Sequence, residues 1–101
     1  MKSHYQILII GGGTAGIMTA AQFIKQKNLK DIAIIEPAST HFYQPAWTLV
    51  GAGTYDFDST AKPMADVIPK DAVWIKDRAT GFEPENNLVH TKNSGDITYD
   101  Y

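Results

Sequence analysis

The 101 residues, 44% of them hydrophobic, suffice for one small domain and no more. Nine Lys and Arg against eleven Asp and Glu give a formal charge of −2, and Arg78 is the only arginine, which argues against a phosphate-backbone-binding surface and so against nucleic acid as a partner. The chain contains no cysteine, which removes disulfides, thiolate metal sites and a cysteine nucleophile.

Residues 5–10 (YQILII), all but one of them β-formers, form a continuous run instead of an alternating one, which predicts a central parallel strand buried on both faces. Residues 11–16 supply a turn, and residues 14–27 a helix with Ile17, Ala20, Ala21 and Ile24 on one face and Lys25, Gln26 and Lys27 on the other. Residues 31–36 (DIAIIE) read as a second buried strand stopped by Pro37, which completes a βαβ unit with adjacent parallel strands. Regularity drops between residues 38 and 69, where Pro45, Gly51, Gly53, Pro63 and Pro69 leave room for one short helix around residues 62–67. A stretch this long with so little regular structure reads as a functional loop. Residues 72–79, 87–92 and 96–101 then predict three antiparallel strands, with turns at 84–87 and 93–95 and the last two strands forming a hairpin. The fold class expected is α/β and Rossmann-like: a βαβ unit plus a three-stranded antiparallel element. No run reaches the roughly 18 apolar residues of a membrane span. The segment therefore reads as soluble and cytoplasm-facing, with any peripheral membrane contact made elsewhere.

The strongest chemical signal is Gly11-Gly12-Gly13-Thr14-Ala15-Gly16, a G-x-G-x-x-G between a predicted strand and a predicted helix. Gly11 permits the tight turn, Gly13 lets a pyrophosphate approach the backbone, and Gly16 lets helix and strand pack closely. A glycine-rich turn can be only a turn. Glu36, however, ends the second strand twenty residues after Gly16, where its carboxylate can accept hydrogen bonds from a ribose diol. The same carboxylate would repel a 2′-phosphate, which disfavours NADP, while NAD and FAD both remain open on the fingerprint alone.

The second signal is the loop HFYQPAWTLVGAG, residues 41–53, which leaves the carboxyl end of a strand beside the glycine turn. Ligands bind in that crevice of open α/β sheets, although buried packing accounts for Phe42 and Tyr43 equally well. His4, His41 and His90 have no metal-binding spacing and read as surface or structural residues, so no metal site is expected. Asp56, Asp58, Asp66, Asp71 and Asp77 read as solvated loop or cap residues.

The runs HYQILIIGGGTAGIMTAAQ, AIIEP, HFYQPAWTLVGAG, KPMADVIP and GDITYDY together resemble the N-terminal part of sulfide:quinone oxidoreductases, across essentially the whole chain. The glycine motif and the acid are shared with the wider two-dinucleotide-binding flavoproteins, and the Tyr43 to Gly51 loop is what narrows the resemblance. It implies that FAD is the cofactor, with its pyrophosphate over Gly11, Gly13, Thr14, Ala15 and Gly16. It further places the adenosine ribose on Glu36, flavin-side contacts on Gln44 and Pro45, and the adenine against the backbone at Ala79, at the end of the strand 72–79. The implied reaction oxidises sulfide to sulfane sulfur and passes electrons through the flavin to a membrane quinone. Residues 1–101 would then be the N-terminal, incomplete portion of an FAD-binding domain, inactive by itself, within a homo-oligomeric, peripherally membrane-bound enzyme. The redox cysteines of the family have no counterpart here, so no catalytic residue is assigned. Two other readings stay open: a fragment of an NADH:quinone oxidoreductase, which shares a similar Gln-Pro loop, and a self-contained NAD- or FAD-binding module without turnover. Trp47, Thr48, Leu49 and Val50 favour the sulfide enzyme.

Overall fold

The structure, a computed structural model, describes residues 3–27, 31–42, 51, 53 and 61–101. Its centre is a parallel sheet of β2 (Ile7–Ile10), β3 (Ile32–Ile35) and β6 (Ala72–Ile75), in the order β2-β3-β6. Ile7 pairs with Ile32 and Ile32 with Ala72, so the three strands start level. All four residues of β3 are buried, as a strand covered on both faces must be.

Side-chain alternation along β3 divides the core in two. Ile32 and Ile34, both fully buried, pack with Ala20, Ile17, Phe23 and Ile24 of α1 (Thr14–Lys27) and with Met64 of the single-turn α2 (Met64–Val67). Ala33 and Ile35 face the other way, onto Tyr5, Val89 and Ile97. Those residues belong to a second sheet, ordered β1-β9-β8-β7, built from β1 (His4–Tyr5), β7 (Ala79–Glu83), β8 (Leu88–Thr91) and β9 (Asp96–Tyr99). The layers are therefore meander, parallel sheet and helix. Complete burial of an isoleucine contributes about 1.5–3 kcal/mol, so β3, with three of them, is the strongest single anchor of the sandwich.

Several strands differ from the sequence expectation. The run 5–10 is broken at Gln6, whose N–H donates to Asp31 Oδ2 at 3.0 Å instead of to a strand. The residues before the break, β1, run parallel to β9, while those after it, β2, pair with β3. β3, not β2, is the middle strand of the described sheet. On the outer edge of β2, Leu8 N–H donates to Tyr101 O at 3.0 Å and Tyr101 N–H to Gln6 O at 2.9 Å.

The expected strand 72–79 is likewise two strands. After β6 the chain turns at Asp77, whose N–H donates to Ile75 O at 2.8 Å and whose carboxylate accepts the N–H groups of Arg78 and Asn93. The antiparallel element is thus made by β7, β8 and β9, with β7 starting at Ala79. Asp77 is buried, not solvated, and ties this turn to the β8–β9 connection. A hydrogen bond from the Ser94 side chain, helped by the backbone donors and opposed by desolvation, lowers its pKa to about 2. The third difference is β4 (Thr40–Phe42), which pairs antiparallel with β5 (Ala61–Pro63) where the sequence suggests loop and, from residue 62, the short helix, which instead starts at Met64. Pro63 can take part because it ends a two-stranded ribbon.

The meander carries a titrating clamp. Gly81 lets the His90 ring cross the sheet, with the Cβ position of Gly81 only 3.2 Å from His90 Cδ2. The imidazole bridges Asp96, at 2.7 Å from Nδ1, and Glu83 on Nε2. Asp96 first and Glu83 second raise the His90 pKa above its ordinary 6.5. The Asn86 amide first and His90 second lower that of Glu83 from its ordinary 4.5. A raised histidine stabilises fully below its unfolded value and loses that contribution as pH climbs through the folded one; a lowered carboxylate stabilises above its unfolded value. The melting-temperature advantage of the wild type over His90→Gln is therefore expected to be largest between pH 4.5 and 6.5 and to shrink as pH rises further. An advantage independent of pH would show that the bridge carries no charge-dependent stability.

Candidate dinucleotide site

The glycine turn links β2 to α1 at the carboxyl end of the parallel sheet, the place where such sheets bind ligands. Gly11 has a φ of +104°, a left-handed conformation that favours glycine, and its N–H donates to Ile35 O at 2.9 Å. Gly16 lies in the first turn of α1 directly over Gly11, and a Cβ there would stand 2.2 Å from Gly11 O. Helix and turn are therefore as close as backbones allow. Gly13 is exposed, and a Cβ built on it meets no atom within 4 Å among the described residues beyond its chain neighbours.

Gly13 also caps the helix, since its carbonyl accepts the N–H of Ile17 at 3.0 Å. The N–H groups of Thr14, Ala15 and Gly16 have no acceptor within the helix, and no acidic residue occupies the first turn. The helix end keeps its partial positive charge, roughly half an elementary charge. This is the electrostatic setting a pyrophosphate needs.

Glu36 follows β3 and reaches back to the turn. Its Oε1 accepts Gly12 N–H at 2.8 Å and its Oε2 accepts Ala38 N–H at 2.9 Å. Its backbone is held as well, the carbonyl accepting the Trp74 indole N–H at 3.0 Å and the N–H donating to Ile75 O at 3.0 Å. A carboxylate offers about four acceptor positions, so two stay free for hydroxyl donors. Pro37, Lys76, Asp77, Arg78, Lys92 and Asn93 line an adjoining cleft of about 300 Å³.

The structure thus brings together Gly11, Gly13, Thr14, Ala15, Gly16 and Glu36. Ala79 is half-buried at the first position of β7, past the Asp77 turn, and packs on the core of Val89 and Ile97. Gln44 and Pro45, with most of the loop 41–53, lie outside the described residues. Sequence reasoning assigned no role at this turn to Gly12 or Trp74, and read His41 only as a surface or structural residue. Gly12 is enclosed, its Cβ position 3.0 Å from Glu36 Cγ and 3.1 Å from Met64 Sδ. Trp74 and His41 both donate to the backbone of this constellation, Trp74 to Glu36 O and His41 Nδ1 to Gly12 O at 3.0 Å. Only KPMADVIP, as part of the family resemblance, pointed toward Met64.

A parallel sheet, a glycine turn under a helix start and an acid at the end of the next strand define a Rossmann-type FAD/NAD(P)-binding segment. No protein-family profile matches the chain. Individual proteins do: the mitochondrial sulfide:quinone oxidoreductase of Dictyostelium discoideum is 47% identical over 102 residues, covering 100% of the chain and 23% of that protein. That of Mus musculus is 39% identical over 100 residues, covering 99% and 22%. The crystal structure of sulfide:quinone oxidoreductase from the hyperthermophilic bacterium Aquifex aeolicus superposes with a TM-score of 0.76 at 30% identity, covering 99% of the chain and 23% of that structure. Along its whole length the chain is similar to sulfide:quinone oxidoreductases. It spans about a quarter of the length of the relatives it matches.

Proposed function

We propose that the chain forms the first portion of the FAD-binding domain of an enzyme that oxidises sulfide and reduces a quinone. The observation that carries the cofactor reading is the turn itself: open space over Gly13, the blocked Cβ position at Gly16, and Glu36 fastened to Gly12 N–H at 2.8 Å. These residues fit an adenosine diphosphate moiety. The N–H groups of Gly13, Thr14 and Ala15 hold the pyrophosphate charge, and Glu36 orients the ribose through its two free acceptor positions. The Glu36 carboxylate also selects against a 2′-phosphate. Gln44 and Pro45 contribute on the flavin side, and the Ala79 backbone meets the adenine. Bound FAD would supply the redox chemistry, the transfer of two electrons from sulfide to quinone. The relatives' names supply the substrate class. The full protein is further proposed to be a homo-oligomer attached peripherally to a membrane. Among the described residues no helix is long and apolar enough to cross one.

The test is the affinity of the apoprotein for FAD. Glu36→Gln keeps an acceptor but loses the charge, and is expected to weaken binding by about 1.5–3 kcal/mol, the value of hydrogen bonds to a charged group. Fluorescence titration of wild type and variant reads this directly, and an unchanged affinity would remove the ribose from Glu36.

A further inference from the structure

We infer that His41 is a positioning residue of the pyrophosphate cradle, acting through the orientation of the Gly12–Gly13 peptide; this rests on the dinucleotide reading above. Three consecutive glycines give the turn more freedom than it can use. With no Cβ on either side, the 12–13 peptide can flip at little steric cost, and each flip exchanges the directions of its carbonyl and its N–H. Gly11 N–H is fixed by Ile35 O and Gly12 N–H by Glu36, but both bonds lie before the peptide in question.

The bond that fixes the 12–13 peptide comes from another element. His41, in the middle of β4, is 9% exposed and donates from Nδ1 to Gly12 O at 3.0 Å. A carbonyl can only accept, so Nδ1 carries the hydrogen. No peptide among the described residues is cis, and in a trans peptide the carbonyl and the next N–H point in opposite directions. With Gly12 O turned inward to the buried imidazole, Gly13 N–H is turned away from it. Among the described residues that N–H meets no acceptor. It thus joins the Thr14 and Ala15 N–H groups as a donor toward an anion. His41 supplies the inward anchor without touching the ligand.

The experiment uses the intact apoprotein and two side chains of nearly equal shape. Asn places an N–H donor where the imidazole has Nδ1, whereas Leu fills similar space and donates nothing. ADP-ribose, which carries the pyrophosphate without the flavin, is the probe alongside FAD, and the 31P shifts of bound ADP-ribose report the phosphate hydrogen bonds. His41→Leu is expected to weaken both ligands roughly ten-fold, the effect of one lost hydrogen bond. It should also move a 31P resonance, and His41→Asn should restore affinity and shift. Wild-type affinity in His41→Leu, or equal loss in both variants, would overturn the role of the Nδ1 bond. If His41→Leu fails to fold, His41→Asn decides alone: near-wild-type affinity and shift support the bond, and a ten-fold loss in a folded Asn variant refutes it. A wild type that takes up neither ligand would instead refute the dinucleotide reading, and His41 with it.

Discussion

Gly16→Ala is expected to be the most damaging single methyl group in the described structure. Its Cβ would stand 2.2 Å from Gly11 O, and 3.3 Å from both Gly11 C and Ile9 Cγ2. The first of these is a backbone oxygen in a turn already held by Ile35 O and Glu36, so it cannot swing aside as a side-chain tip would. Either α1 lifts from the sheet, uncovering Ile17 and Ala20, or the turn opens and its N–H groups diverge. Alanine is the better helix former by about 0.5–1 kcal/mol, which offsets only part of an overpacking cost at or above the upper end of about 1–3 kcal/mol. The net expectation is a loss of about 2 kcal/mol or more together with loss of flavin. Thermal unfolding and the flavin absorbance of the purified protein measure both. A variant as stable and as yellow as the wild type would mean that helix and turn are not in this contact.

What the sequence discloses and what it hides follow from the range of the forces involved. The bounds of α1 at Thr14 and Lys27 are legible because a glycine turn starts it and an amphipathic pattern carries it. β3 is legible because a strand buried on both faces must be apolar throughout. The roles of Gly11 and Gly16 in the turn follow from spacing, since the turn and the close contact are local. The splits at Gln6 and Asp77 are not local. A run of β-formers says that a strand exists but not which sheet it joins, and both changes of partner are settled by carboxylates: Asp31 on Gln6 N–H, and Asp77 on the N–H groups of Arg78 and Asn93. The pairing of β4 with β5 is hidden for the same reason. In the site, Gly12 occupies a free position of the fingerprint, so nothing marks it as the residue that fastens Glu36. His41 is separated from its acceptor by 29 positions, and a histidine without a metal spacing or a carboxylate partner offers no pattern to read.

Gly13→Ala provides the complementary case, a substitution that spares the fold and strikes the ligand. Among the described glycines only Gly11, Gly53 and Gly95 have positive φ, so an alanine at position 13 adopts the backbone without strain. Among the described residues its Cβ meets no atom within 4 Å beyond its chain neighbours. Alanine is a poorer helix cap than glycine, a cost of at most about 1 kcal/mol. The added methyl does occupy the open space over the turn, where a pyrophosphate must come within hydrogen-bond distance of the Gly13, Thr14 and Ala15 N–H groups. Affinity for FAD and for ADP-ribose is expected to fall at least about ten-fold, a loss of 1.4 kcal/mol or more. The circular dichroism should remain that of an α/β protein, and the melting temperature of the apoprotein should shift by only a few degrees, as about 1 kcal/mol predicts. Gly16→Ala and Gly13→Ala thus separate the two demands on the turn: the first tests how tightly the backbone packs on itself, the second what the backbone leaves room for. Full flavin occupancy in Gly13→Ala would place the phosphates elsewhere and leave the open space over the turn without a ligand.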